Sequence, residues 1–283
     1  MGAFDVIIVG ASFSGLTLAY HLPRHLKVLV VDAKPSAGST VESTGLITEK
    51  TRLEFASFFD IDRYITNPIT AICVVATNFE DHFVSTTEKP WIYQTDTKAL
   101  VRALADTLPS NVELRTRTVF SRLGQFPARV IVGADGGHSK VAALSGLDQN
   151  KKFLFGFEQV FFGNVCLGPK PDETIYHFWF GEFSLGYGGW LSPTVVNGRK
   201  AFRIGLAKLM RDRGDAKVLI KKFVEELLRR RIITIDGDPN APDYVFGSHI
   251  PIGGALGNIT KDNVVLIGDA AGFCGAFAAD GIK

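Results

Sequence analysis

The sequence predicts an α/β chain that opens with a dinucleotide-binding βαβ unit and later carries an inserted antiparallel sheet. Three observations carry this. Residues 4–35 read as strand, small-residue turn, helix and strand. Small-residue turns recur directly after apolar strands at 133–137 and 268–272. Aromatic residues alternate between 151 and 190, where twelve of forty positions are aromatic against 11% over the chain.

The opening unit has a physical reason at each step. The apolar run Val6–Val9 stops at Gly10, and small residues follow through Ala11, Ser12, Ser14 and Gly15. Leu16, Leu18, Ala19 and Leu22 then recur at helical spacing. A second apolar run, Val28–Val31, ends on Asp32, 22 residues after Gly10. Small side chains let backbone approach a pyrophosphate, and the helix behind aims its N-terminal N–H groups at that anion. A carboxylate ending the second strand accepts hydrogen bonds from a ribose 2′-hydroxyl and repels a 2′-phosphate, which favours FAD or NAD over NADP. The glycine fingerprint is incomplete, because Ser12 occupies its middle position. The same stretch is no nucleophile elbow, since Ser14 replaces the closing glycine of G-x-S-x-G.

The chain has 283 residues, is 46% hydrophobic, and balances 31 basic against 29 acidic residues for a net charge of +2. That is enough for a large core, in one domain or two, and the charge balance offers nothing for nucleic acid. Cys73, Cys166 and Cys274 are odd in number and far apart, so neither a disulfide framework nor a metal set is expected, and a reducing cytoplasm is the default. His21 and His25 are separated by Pro23, which argues against a shared helical face. No apolar run reaches the length of a membrane span, and no leader is expected, since the first strand begins almost at Met1. Peripheral membrane contact stays open.

Along the chain, 36–50 reads as a Ser/Thr/Gly-rich loop, 51–65 as a short helix or irregular segment, and 69–77, 79–84 and 91–94 as strands. Thr95 or Asp96 caps a helix running to about Leu108, which Pro109 stops. Residues 112–119 and 129–132 read as strands, the second running into Gly133–Gly137. The alternations Phe153/Phe155/Phe157 and Tyr176/Phe178/Phe180 predict antiparallel strands with an aromatic face. That face is either packed on its own core or forms the wall of an apolar pocket. Residues 201–206 read as a further strand. Residues 212–231 read as a helix with Val218, Phe223, Leu227 and Leu228 inward, closed by Arg229–Arg231. That basic end is either solvated or in contact with acidic lipid head groups. The apolar strand 263–267 leads into Gly268-Asp269-Ala270-Ala271-Gly272, where a carboxylate can hold a polyol or sugar hydroxyl.

Taken together, these motifs resemble the FAD-dependent group that contains aromatic hydroxylases and geranylgeranyl reductases. Gly10, Ser12, Phe13, Ser14 and Gly15 with Asp32 resemble its adenosine-diphosphate motif, and Ala33 and Lys34 extend it. Gly133-Ala134-Asp135-Gly136 with Ser139 resembles its Asp-Gly motif beside the pyrophosphate. Gly268-Asp269-Ala270-Ala271 resembles its Gly-Asp motif, whose aspartate holds the ribityl chain. The resemblance further implies cofactor contacts at Thr44, Gly45, Lys98 and Gly281. His249-Ile250-Pro251, Gly272-Phe273 and the segment Tyr187–Pro193 followed by Ile204-Gly205-Leu206 are similar to the geranylgeranyl reductase branch. By that resemblance Tyr187, Trp190 and Pro193 contact substrate. Besides Ser12, other positions depart from the group's pattern: Tyr187 stands one residue further from Trp190, and Ser192 replaces an aromatic. Thr44-Gly45 replaces a frequent Cys-Gly, Ala142 an arginine, and Ala276 a proline. Members of the group continue past Lys283, so a C-terminally truncated chain is expected.

The resemblance implies a hydroxylase-like flavoprotein fold, with an FAD-binding Rossmann-like domain (1–60, 95–150 and 246–283) and an antiparallel substrate domain (61–94 and 151–245). It implies reduction of carbon–carbon double bonds in a prenyl lipid, with electrons from NAD(P)H or ferredoxin. The alternatives are an aromatic monooxygenase and a flavin-binding protein without turnover. No catalytic side chain is assigned from the sequence. Cys274 reads as a buried structural thiol.

Overall fold

The computed structural model describes residues 4–40, 43–166, 175–275 and 281–282. Ala276 and Lys283, which bear on the resemblance, lie outside them. The chain forms two compact units. The first comprises Met1–Val41, Asp96–Phe153 and Ile250–Lys283; the second comprises Glu42–Thr95 and Leu154–His249. The strand Leu46–Thr48 pairs antiparallel with Ile92–Thr95, so residues 43–60 go with the second unit rather than with the nucleotide-binding segment expected to reach 60.

In the first unit Phe4–Val9 lies at the centre of a six-stranded sheet. It pairs in parallel with Val28–Val31 on one side and Ala128–Gly133 on the other. Val112–Arg115 and Val264–Leu266 extend the parallel array outward, and Thr260–Lys261 closes one edge antiparallel. The central strands are buried on both faces and accordingly read as unbroken Val/Ile/Leu runs. The helix Thr97–Asp106 starts where Asp96 accepts the Ala99 N–H, and buries Leu100, Val101 and Leu104. It ends before Leu108, because a residue preceding proline is driven out of helical conformation.

In the second unit the strands Ile233–Ile235, Phe153–Val165, Arg199–Leu209, Gly188–Val196, Ile175–Trp179, Ala71–Val75 and His82–Thr86 form one sheet in that order. Tyr244–Pro251 pairs with Phe153–Val165 off this path. The Gly188–Val196 strand carries no strand signal in the sequence. The Ile175–Trp179 strand is antiparallel to it and parallel to Ala71–Val75, so the aromatic sheet is mixed. One face packs Phe161, Ile175, Trp179, Leu191, Phe202 and Ile204 against the helix Ala216–Arg229. Phe223 of that helix stacks on Phe183 with centroids 3.9 Å apart.

This helix begins at the Asp215 cap rather than at Asp212, and its inward residues are Leu219, Ile220, Phe223, Val224 and Leu227. Val218, expected inward, is 52% exposed. Leu219 stands four residues before Phe223 and shares its face, whereas Val218 stands five before and turns away. At the basic end, Arg229 and Arg230 both engage Glu226 and push its carboxyl down to about 2. No helix among the described residues is long and apolar enough to cross a membrane.

His177 sits on the helix-covered face at 1% exposure, and among the described residues neither ring nitrogen has a hydrogen-bond partner. Burial first, then the nearby His82, pushes its pKa down to about 4 from an ordinary 6.5. Below 6.5 the unfolded chain takes a proton that the folded chain refuses. Unfolding free energy should therefore fall by about 1.4 kcal/mol per pH unit between those two values and level off below the lower one. His177→Leu should remove that slope in urea titrations run across this range. A variant as acid-sensitive as the parent would place the effect on other groups.

Candidate functional site

The site grows from the carboxyl ends of the parallel strands in the first unit. Gly10 ends the first strand at φ +112°, a left-handed region that disfavours side chains. A Cβ there would lie 2.2 Å from the Ala134 oxygen, so the turn at 10 and the turn at 134 pack backbone to backbone. A Cβ at Gly15 would lie 1.9 Å from the Gly10 oxygen, which seats the helix Phe13–His21 directly on the turn. Gly268, at φ +57°, closes on Ser14, whose hydroxyl oxygen lies 2.2 Å from where its Cβ would stand. Backbone bonds complete the junction: Ala134 N–H donates to Val9 at 2.8 Å, and Ile267 N–H to Gly133 at 2.9 Å. The three turns read separately from the sequence thus meet in one place.

The helix at this junction is unlike the other α-helices among the described residues. Thr48, Asp96, Ser139 and Asp215 each cap a helix with a side-chain acceptor. Ser12 makes no such bond, and the first turn of Phe13–His21 holds no acidic residue. The positive end of that dipole is set up for an anion rather than for its own cap.

Asp32 turns both oxygens onto backbone: Oδ2 accepts the Ala11 N–H at 2.7 Å and Oδ1 the Lys34 N–H at 2.8 Å. Each oxygen keeps a further lone pair for a ribose hydroxyl. Ala33 and Lys34 are exposed, and the Lys34 ammonium donates to the Thr40 carbonyl at 2.7 Å. Lys98 is exposed on the first turn of the helix Thr97–Asp106, and its carbonyl lies 2.4 Å from where a Gly38 Cβ would stand.

Asp135 is engaged differently from the expectation. Its Oδ1 accepts from the Ser139 hydroxyl at 2.6 Å, and its Oδ2 accepts from Lys140 N–H at 2.7 Å and Val141 N–H at 3.0 Å. The carboxylate caps the short helix Lys140–Ser145, which no periodic pattern in the sequence announces. What this motif offers a ligand is the backbone around Gly136, where φ is +81° and open space lies beside the Cα.

Asp269 is the contrasting case. Among the described residues no donor reaches its carboxylate, and burial pushes its pKa up. The backbone of Gly281 passes so close that a Cβ would lie 2.9 Å from Oδ1. Ala270 is fully buried beneath it. A partly buried acidic group with no donor among the described residues, beside a glycine, fits a polyol hydroxyl. The residues present therefore fit FAD: the turn at 10–15 for pyrophosphate, Asp32 for ribose, Asp269 for ribityl. Asn150, which no local pattern singled out, ties the last two turns together. Its Nδ2 donates to Gly137 at 3.1 Å and to Asp269 at 2.8 Å.

Thr44 and Gly45 lie in the second unit, where Gly45 accepts both the N–H and the hydroxyl of Thr95. Trp190 and Pro193 are in the Gly188–Val196 strand, and Tyr187 precedes it. Leu191 joins the helix-covered core and Trp190 does not, so by strand alternation Trp190 and Pro193 point to opposite faces. The expected substrate trio is not gathered on one surface.

Residues 5–65, which hold Gly10, Gly15 and Asp32, match the family described as FAD dependent oxidoreductase (DAO). The protein is an FAD-dependent oxidoreductase. Over 303 residues this oxidoreductase is 23% identical to the digeranylgeranylglycerophospholipid reductase of Methanococcus aeolicus, covering 99% of this chain and 73% of the relative. A geranylgeranyl bacteriochlorophyll reductase-like protein of Thermoplasma acidophilum has the same fold, with TM-score 0.80, 17% identity, and 99% and 74% of the two chains covered. The p-nitrophenol 4-monooxygenase of Pseudomonas putida matches with TM-score 0.70, 16% identity, and 100% and 78% covered. The fold is that of the hydroxylase-like flavoproteins.

Asp269→Ala should lower FAD affinity by about tenfold, the loss of one charge-assisted hydrogen bond, read by flavin fluorescence titration. Asp135→Ala should instead cost about 1–2 kcal/mol of unfolding free energy through the lost helix cap, leaving flavin affinity nearer the parent's. Equal loss of affinity in both variants would contradict these distinct roles.

Proposed function

We propose that this oxidoreductase reduces isolated carbon–carbon double bonds in the prenyl chain of an isoprenoid lipid. One observation carries the reading: similarity to a digeranylgeranylglycerophospholipid reductase extends over 99% of the chain, through both units and not the nucleotide segment alone. The Thermoplasma neighbour's fold and the aromatic sheet of the second unit are consistent with it.

FAD, when bound, supplies the hydride from its N5 atom, and each saturated bond also gains a proton at the other carbon. In this reading the residues of the chain bind and orient. The turn at 10–15 and its uncapped helix neutralise the pyrophosphate, Asp32 holds the adenosine ribose, and Asp269 holds the ribityl chain. The half-buried aromatics of the second unit supply a surface that excludes water from a hydrocarbon. The electron donor is NAD(P)H or ferredoxin.

The test is anaerobic. FAD-loaded protein reduced with dithionite is given a geranylgeranyl glycerolipid in detergent, and the product is weighed by mass spectrometry. A gain of two hydrogens per reduced bond is expected. An unchanged lipid, together with NAD(P)H-dependent oxygen uptake on a phenol, would replace this reading with the monooxygenase. Bound flavin with neither activity would leave a flavin-binding protein without turnover.

A further inference from the structure

Across the sheet of the second unit, Glu158, Gly205, Trp190 and Phe178 stand side by side on four adjacent strands. Phe157, Leu191 and Ile204, one residue along their strands, enter the helix-covered core. The row of four therefore lies on the opposite face.

Two glycines shape this face by having no side chain. A Cβ on Gly205 would stand 2.2 Å from Cε2 and Cζ2 of Trp190, and one on Gly188 would stand 2.5 Å from Cζ of Phe178. Each ring is thus seated against bare backbone. The indole is also fixed in rotation, because its Nε1 donates to Glu158 Oε2 at 2.7 Å. The other carboxylate oxygen accepts from Arg203 at 2.9 Å, with the two side chains only 6% and 16% exposed. With its amide oriented to satisfy its neighbours, Gln94 accepts from Arg203 Nε at 3.1 Å and donates to the Pro193 carbonyl at the same distance. Asn67 donates to that carbonyl at 2.8 Å.

A buried ion pair is a poor source of net stability, since desolvating both charges offsets their attraction. Its strength here is directional: it holds an acceptor at one point beside the indole. We propose that Glu158 is a positioning residue for substrate, holding the Trp190 indole flat on Gly205 so that it and Phe178 form a level apolar bed for an extended prenyl chain. This rests on the isoprenoid reading above. With the indole N–H already taken by Glu158, the Trp190 and Phe178 rings offer dispersion contacts and no free donor to a phenolate or carboxylate. A hydrocarbon chain suits such a surface better than an oxygenated aromatic. Phe178 and Tyr176 beside it are half-buried, and Trp190 keeps 9% of its surface open.

The test uses FAD-loaded protein and geranylgeraniol in detergent micelles as the probe, with near-UV circular dichroism reporting the fixed indole. Glu158→Gln keeps an acceptor for the indole and should bind within about threefold of the parent, whereas Glu158→Leu should lose about tenfold or more, with weakened indole bands. FAD affinity should stay within about twofold in both. Gly205→Ala lifts the ring while keeping the ion pair, and should lose prenyl binding in the same way. It decides the matter if Glu158→Leu, which strands Arg203, does not fold. Parent-like geranylgeraniol binding in Gly205→Ala and in folded Glu158→Leu would overturn the positioning role and leave the lipid reading standing. A parent protein that holds FAD but not geranylgeraniol would overturn the lipid reading, and the bed with it.

Discussion

The carbonyl oxygen of Ala134 lies where a side chain on residue 10 would begin, and the flavin site follows from that contact. Because the turns at 10 and 134 touch through backbone, the strands behind them must be neighbours, and Phe4–Val9 does pair with Ala128–Gly133. Because Gly15 lets the next helix sit on the Gly10 carbonyl, the N–H groups of that helix open at the same junction. Gly268 then brings the third turn against Ser14. Ser12, the departure from the glycine fingerprint, does not disturb this packing: the two positions that tolerate no Cβ are Gly10 and Gly15, and both are glycine.

Two aspartates in similar strand-end motifs have different work. Asp135 has three donors from its own helix, while Asp269 has none among the described residues. The distinction is one of competition. A carboxylate followed by a serine and a short helix finds N–H groups within a few residues. One placed where the chain turns through Ala270 and Ala271 does not.

The parts of this structure legible in the sequence are those fixed by local rules. The opening unit shows itself through small residues at a turn and an acid at a strand end. The helix 97–106 shows itself through the Asp96 cap and the proline beyond it. The Gly188–Val196 strand was not legible, because two glycines and a proline argue against a strand. It stands because the glycines make room for rings, and because pairing with Ile175–Trp179 stops at Leu191, before the proline's missing N–H. The helix Lys140–Ser145 is too short for a periodic signal, and its capping residues matched a ligand motif. The bond between Trp190 and Glu158 joins positions 32 apart on different strands, and no spacing rule reaches it.

The Asn150 amide gives the site a property of a different kind. One side chain is bonded to the Gly137 turn and to the Asp269 turn, the latter 119 residues away in sequence. Opening either turn costs one of the two hydrogen bonds that this single amide makes. The two turns therefore share one side-chain restraint, and truncating Asn150 loosens both.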